Sequence, residues 1–524
     1  MTVNVSEHLR ETAASDPDGV ALVEHRPERR SRTWREFDEA VDAVARALSG
    51  RGLVAGQRVA IVMANRIDLP IAYYGILRGG MVAVPINPRS TTREIGRMLA
   101  DSLARVVLCD EAGVEQVREA LTADLRVGIV VKGAEPLPGE TSFESFLADA
   151  TGTAPAAPAD REALAVVLYT SGTSGKPRGA MLTHRALIAN TEQIAQLQPP
   201  AMTSDDICLG LLPMFHIYGL NCVLGQAVRQ GATVVLVDGF DPSGLLDLIV
   251  DEGITNLPLA PPVIAAWAGR DDLREKLAGV SRILSGAAAL EADLAESFRE
   301  SSGHQIEQGY GLTETAPVIA TTHGSPRDGD DHVKHRSVGR PLPGIELRIV
   351  EANGSDAAPG DPAEIWVRGD NVFSGYWPDG ADGPDADGWY PTGDIGFLDA
   401  DGDLTLVDRL RELVIVSGFN VYPSEVEEII AEVPGVAQVA VVGLPDEETG
   451  EAVVAFVVPD KDAAHDEAAL REAVEAHCRT RLARFKQPHR TIVVTGLPHS
   501  PTGKIAKGRL RALARSETLG LGAP

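Results

Sequence analysis

Short apolar runs alternating with helix-like stretches constrain this chain more than any other feature. Val59–Met63 and Met81–Ile86 are continuous apolar runs of strand length, and Thr33–Leu48 carries helical spacing. That alternation favours layered α/β packing around a mostly parallel sheet. TGTAPAAPAD (Thr151–Asp160) interrupts it as a short surface connection inside a larger unit, and the pattern resumes at Leu164–Tyr169 and continues to about Gly324. Beyond that point, Gly- and Asp-rich stretches (Gly324–Arg336 and Pro378–Gly388) separate short runs such as Ile345–Val350 and Glu364–Arg368, which read as a smaller antiparallel β unit. The last 110 or so residues read as a separate α+β module, in which Ser424 and Glu427 have the spacing of a capping box.

Composition enters as a set of exclusions. A chain of 524 residues holds about three packing units, and 44% hydrophobic with 23% charged residues is an ordinary globular balance. The formal net charge of −27 repels phosphate backbones and anionic bilayers, so neither nucleic-acid binding nor a stable charge-held membrane association is expected. The opening MTVNVSEHLRETAASDPDG has neither a positive leader nor an apolar secretory core, and no run approaches a membrane span, so a cytoplasmic protein is expected. Cys109, Cys208, Cys222 and Cys478 show no CxxC spacing and read as buried thiols.

The segment Tyr169-Thr170-Ser171-Gly172-Thr173-Ser174-Gly175-Lys176-Pro177-Arg178-Gly179 follows a hydrophobic strand. Its glycines let backbone N–H groups approach an anion, and its hydroxyls and cations add donors, the composition of a phosphate cradle. A Walker A loop is excluded because Gly172 and Gly175 are too close and Pro177 follows Lys176. Alone, such a run is as readily a polar turn between strand and helix. DADGD (Asp399–Asp403) cannot be a calcium loop, since an EF-hand needs its glycine two places later; it reads as a hairpin turn.

Further segments stand in order along the chain: LPMFHIYGL (Leu212–Leu220), GYGLTETAP (Gly309–Pro317), PTGDIGFLDADGDLTLVDRLRELVIVSGFNVYPSEVEE (Pro391–Glu428) and SPTGKI (Ser500–Ile505). With the phosphate cradle they resemble the adenylate-forming superfamily of acyl- and aryl-CoA synthetases, firefly luciferase and peptide-synthetase adenylation domains, nearest in motifs to fatty-acid and 4-coumarate CoA ligases. The resemblance implies a large N-terminal domain over residues 1–408, of layered α/β subdomains plus a small β unit. A hinge at 409–411 and a small mobile α+β lid domain over 412–524 would follow. It implies a ligase using ATP, Mg²⁺ and coenzyme A: a carboxylate attacks the α-phosphate to give acyl-AMP and pyrophosphate, then a thiol displaces AMP. Such chemistry needs alignment and charge neutralisation more than a protein nucleophile.

By the same resemblance, Thr170, Ser171, Gly172, Thr173, Ser174, Gly175, Lys176 and Arg178 would hold the β- and γ-phosphates, Arg178 standing where many relatives carry Lys. Glu314 and Thr170 would bring Mg²⁺ to the triphosphate. Gly309, Tyr310, Gly311 and Thr313 would border the nucleotide, with Tyr310 against adenine. Asp394 would accept the ribose hydroxyls and Arg409 would bind beside it. Lys504 is the implied catalytic cation, His216 would orient the carboxylate, and Arg411 would be the hinge pivot. Ser417 and Gly418 would approach the thiol arm, in a strand where relatives carry lysines and this chain has Ile415 and Ser417. Tyr218, Cys222, Ala260, Ala287, Gly309, Gly311, Pro317 and Val318 would line an acid pocket. They are small or apolar and offer no carboxylate for an ammonium, which suits an aromatic or fatty acid. The implied partners are a small carboxylic acid, ATP and CoA. The alternative is an adenylating enzyme that loads a carrier protein or serves another chemistry; a homodimer is also expected as an option.

Overall fold

The computed structural model describes every residue except 1, 26–27, 122–126, 151–158, 171–176, 289, 325–336, 417–418, 447–448, 461–466, 500–504 and 519–524. Of Arg409, Arg411, Asn420 and residues 515–518 only the backbone is described. The chain divides into two compact units, Met1–Leu347 with Val367–Tyr390, and Arg348–Trp366 with Pro391–Pro524. Packing density thus groups most of the strand pair before residue 409 with the C-terminal segment.

In the first unit, the apolar runs become the middle of a seven-stranded sheet. Its order is Thr141–Ser142, Gly128–Lys132, Val106–Asp110, Arg58–Val62, Val82–Pro85, Leu164–Thr170 and Arg178–Thr183. All neighbours are parallel except the last pair. Val59, Ala60 and Val62 are each 0% exposed, as strands covered on both faces must be. The helix Trp34–Gly50 begins at a capping box: the Glu36 amide donates to Thr33 Oγ1 and the Thr33 amide to Glu36 Oε2.

A second run of strands in this unit reads Arg30–Thr33, Val20–Glu24, Thr233–Leu236, Ile207–Gly210, Asn256–Leu259, Arg282–Ser285, Glu307–Gly311, Val318–Thr321 and Ser337–Pro341. Its parallel middle packs on Trp267, Phe298 and the leucines of Pro242–Asp251, all part of one buried cluster. Antiparallel pairing takes over at Glu307–Gly311 against Val318–Thr321, the hairpin that carries GYGLTETAP.

In the second unit, Tyr390–Leu398 and Leu404–Arg409 pair antiparallel from Asp394↔Arg409 to Leu398↔Leu404. DADGD closes this hairpin as expected: Gly402, at φ 83°, donates its N–H to the Asp399 carbonyl. Five further strands form a separate sheet, with Gly450–Pro459 paired to Val436–Asp446, Val414–Val416 and Arg490–Val493. The expected Ser424/Glu427 capping box is not formed. The helix Pro423–Ala431 starts with Pro423 at its first position and Tyr422 as cap, which places Ser424 inside the first turn. Ser424 Oγ donates instead to the Val407 carbonyl at 2.7 Å. Glu427 accepts the Val441 N–H at 2.6 Å and pairs with Lys507 at 2.9 Å. All four cysteines are free and buried. Among the described residues no helix is long and apolar enough to cross a membrane.

Candidate active site

The glycine-rich loop joins two antiparallel strands, with Thr170 opposite Arg178 and Tyr169 opposite Gly179, rather than a strand and a helix. Ser171, Gly172, Thr173, Ser174, Gly175 and Lys176 lie outside the described residues, but the two strand ends that launch the loop do not. Thr170 Oγ1 lies 3.5 Å from the Arg178 carbonyl. Arg178–Thr183 is the sheet's last strand, and its outer edge is taken up by a later segment: Ser374 N–H donates to Met181 O, Met181 N–H to Gly375 O and Trp377 N–H to Gly179 O. That pairing carries Tyr376 to the side of Arg178, whose guanidinium lies 3.7 Å from the centre of the Tyr376 ring. Asp382 takes the guanidinium's other end at 2.7 Å.

Glu314 sits on the three-residue 3₁₀ turn Thr313–Thr315. Buried side-chain amides hold this turn and its flanks. Asn371 donates to Thr315 O and Asn221 to Ala316 O, each at 2.7 Å. Asn190 both donates to Val318 O and accepts its N–H. The Phe373 N–H donates to the Glu314 carbonyl. Carbonyls turned inward at an irregular segment need such partners, because an unpaired buried one is costly. Gly311 is required sterically, since a Cβ there would lie 1.9 Å from Pro317 O. The Glu314 carboxylate accepts the Tyr376 hydroxyl at 2.5 Å. Burial first, then the Glu314 charge, pushes the Tyr376 phenol far above its ordinary range, so it is a permanent proton donor near neutrality.

Among the described residues no three His, Cys, Asp or Glu side chains converge as a metal site. The Glu314 carboxylate and the Thr170 hydroxyl are hard oxygen donors of the kind Mg²⁺ takes. That ion keeps several waters and is commonly held by one or two carboxylates plus substrate phosphates rather than by a protein cage.

Several of the expected acid-pocket residues are neighbours in the first unit. Tyr218 and Cys222 lie on a π-helical stretch, Tyr218–Gly225, a geometry frequent at functional sites. The Tyr218 ring rests on the Gly286 backbone so closely that a Cβ there would meet it at 2.7 Å. Its hydroxyl donates to Leu284 O at 3.4 Å. Ala287 follows at φ 70°, a left-handed conformation unusual for alanine. The Gly286 N–H bonds Leu259 O, which brings Ala260 alongside. A Cβ on Gly309 would find only Leu284 Cδ1, at 4.0 Å, so the wall is open there. Pro317 and Val318 meet Gly311 in the hairpin. Burial pushes the Cys222 thiol up to about 12, which leaves it protonated and not a nucleophile. His216 is half-buried, and its Nδ1 accepts the Tyr218 N–H at 3.3 Å, so the proton of the neutral ring sits on Nε2. Tyr310 is 8% exposed, on the strand Glu307–Gly311.

Asp394 belongs to the second unit, 6% exposed and opposite Arg409 in the strand pair. Arg411 is the middle residue of the 3₁₀ turn Leu410–Glu412. Lys504, Ser417 and Gly418 lie outside the described residues. Sequence reasoning missed Tyr376 and the asparagines Asn190, Asn221 and Asn371. Their only signal is an isolated polar residue in an otherwise apolar or Gly-rich setting.

The family model for the AMP-binding enzyme matches residues 9–377, and that for the AMP-binding enzyme C-terminal domain matches 425–504. The chain is 35% identical to 4-coumarate–CoA ligase-like 9 of Oryza sativa subsp. japonica, over 97% of this chain and 92% of the relative. It is 33% identical to the long-chain-fatty-acid–CoA ligase of Escherichia coli O157:H7, over 93% and 90%. Among solved structures, ATP-bound MatB from Rhodopseudomonas palustris is similar with a TM-score of 0.88 at 30% identity, over 99% of this chain and 100% of that one. Amide bond synthetase McbA from Marinactinospora thermotolerans has a TM-score of 0.84 at 28% identity, over 97% and 99%. The chain therefore belongs to the AMP-binding enzyme family, and it is an AMP-forming ligase.

Proposed function

We propose that this ligase activates an aromatic or fatty carboxylic acid with ATP and passes the acyl group to coenzyme A. A carboxylate oxygen bonds to the α-phosphorus as the bond to pyrophosphate breaks; the CoA thiol then bonds to the acyl carbon as AMP leaves. The observation that carries the nucleotide half is the meeting of Arg178 and Glu314 on Tyr376, at the foot of the hairpin that bears the glycine-rich loop. Arg178 and the loop neutralise triphosphate charge, and Glu314 with Thr170 would hold Mg²⁺, which would supply charge neutralisation at the phosphate oxygens. His216 orients the acid's carboxylate. Lys504 supplies the cation of the adenylation step, and Asp394 with Arg409 takes the ribose. A turn about Arg411 then brings Ser417 and Gly418 to the thiol.

The acid class is supported by the apolar wall of Tyr218, Cys222, Ala260, Pro317 and Val318, together with the buried strand Asn256–Leu259, none of which offers a charge. The relatives named for 4-coumarate and long-chain fatty acids support the same class and a CoA acceptor. Incubation with ATP, Mg²⁺, free CoA and a panel of benzoates, cinnamates and fatty acids tests it. Mass spectrometry should find acyl-CoA and AMP. Acyl-AMP accumulating without any thioester would show a carrier protein, or an amine as the name of McbA suggests for that protein, to be the acceptor.

A further inference from the structure

We propose that Tyr376 is the positioning residue that sets the spacing between the Arg178 guanidinium and the Glu314 carboxylate for a Mg²⁺-bound triphosphate. The inference rests on the nucleotide reading above. Three features fix the ring independently of either charged partner. The Ser374–Trp377 backbone is bonded along the edge of the Arg178–Thr183 strand. The Tyr376 N–H donates to Ala381 O at 3.0 Å, closing a turn in which Gly375, at φ 90°, leaves no room for a Cβ: one would lie 2.1 Å from Gly380 O. The Phe373 ring stands edge-on at 5.1 Å.

From that fixed place, Tyr376 does two things. Its hydroxyl occupies Glu314 Oε1, which fixes the carboxylate's rotation and reserves the second oxygen for a ligand. Its face holds the Arg178 guanidinium by cation–π attraction. Glu314 and Arg178 carry opposite charges, and a direct pair would spend both on each other; with the phenol on Glu314, Arg178 pairs with exposed Asp382 instead, a contact that phosphate can replace.

The test is equilibrium binding of ATP by calorimetry without acid or CoA, once with Mg²⁺ and once with EDTA, on the full chain. Tyr376→Phe keeps the ring and removes the hydroxyl. It should lose roughly tenfold of the Mg²⁺-dependent gain in affinity, with a smaller loss for metal-free ATP because the ring still holds Arg178. Tyr376→Leu should also weaken metal-free ATP, through Arg178. Added to Glu314→Gln, Tyr376→Phe should cost nothing further, because the partner is already altered. An unchanged Mg²⁺ gain in Tyr376→Phe, or equal losses with and without Mg²⁺, would overturn the assignment of Tyr376 alone. A wild-type chain that binds ATP in neither condition would overturn the nucleotide reading itself.

Discussion

A glutamate on a three-residue turn is ordinarily a solvated charge, yet Glu314 has its carbonyl bonded by Phe373 and its carboxylate by Tyr376, so its environment is built. Glu314→Gln should lower acid-dependent pyrophosphate exchange by roughly 10²–10³-fold with the melting temperature nearly unchanged; intact exchange would remove the residue from the site. Lys504→Ala should abolish the same exchange and spare thioester formation from supplied acyl-adenylate, and equal loss of both steps contradicts its role. His323 offers a pH test remote from catalysis. Its Nδ1 faces Glu307 at 2.8 Å and its Nε2 the Pro199 carbonyl at 2.7 Å, so both nitrogens donate and the ring is a cation. Burial opposes that charge, as does Arg282, but the hydrogen bond and charge of Glu307 and the Pro199 carbonyl prevail, and the His323 pKa is raised. A raised folded pKa contributes stability that is whole below the unfolded value, near 6.5, and is lost as pH climbs through the folded one. The stability gap between wild type and His323→Gln, measured by urea denaturation, should be full below about pH 6.5 and shrink as pH rises above it. A gap that widens would reverse the assigned protonation.

Among elements, those legible in the sequence owe their form to their own residues. Val59–Val62 and Val82–Val84 are apolar at every position and could only be doubly covered strands. DADGD had to turn, and the cysteines had to be buried. What stayed hidden is set by distant backbone. Ser374–Trp377 becomes a strand-edge partner only because Arg178–Thr183 ends the sheet, and the π-helical stretch at Tyr218 has no pattern of its own. The Ser424 capping box failed because Pro423 claimed the first helical position. The asparagines escaped notice because a lone Asn carries no period. Their work predicts a cost: Asn221→Leu strands the Ala316 carbonyl and should destabilise the first unit by about 1–3 kcal/mol in urea titration. A neutral result would show that water replaces the amide.

For the whole molecule, two compact units and two matching family models agree that this is a large body followed by a smaller module. The residues proposed to contact phosphate were picked out by motif order; of these, residues 171–176, like Lys504, Ser417 and Gly418, lie outside the described residues and rest on resemblance. If Arg411 is the pivot, Arg411→Pro should spare acyl-adenylate formation and cripple the thioester step; both steps at wild-type rate would place the pivot elsewhere. The central claim is that this chain makes an acyl-adenylate before any thiol is needed. Exchange of labelled pyrophosphate into ATP, run with Mg²⁺ and no CoA across benzoates, cinnamates and fatty acids of increasing length, measures that directly. The account predicts exchange that depends on at least one of these acids and falls sharply in Glu314→Gln, and exchange with none of them would contradict it.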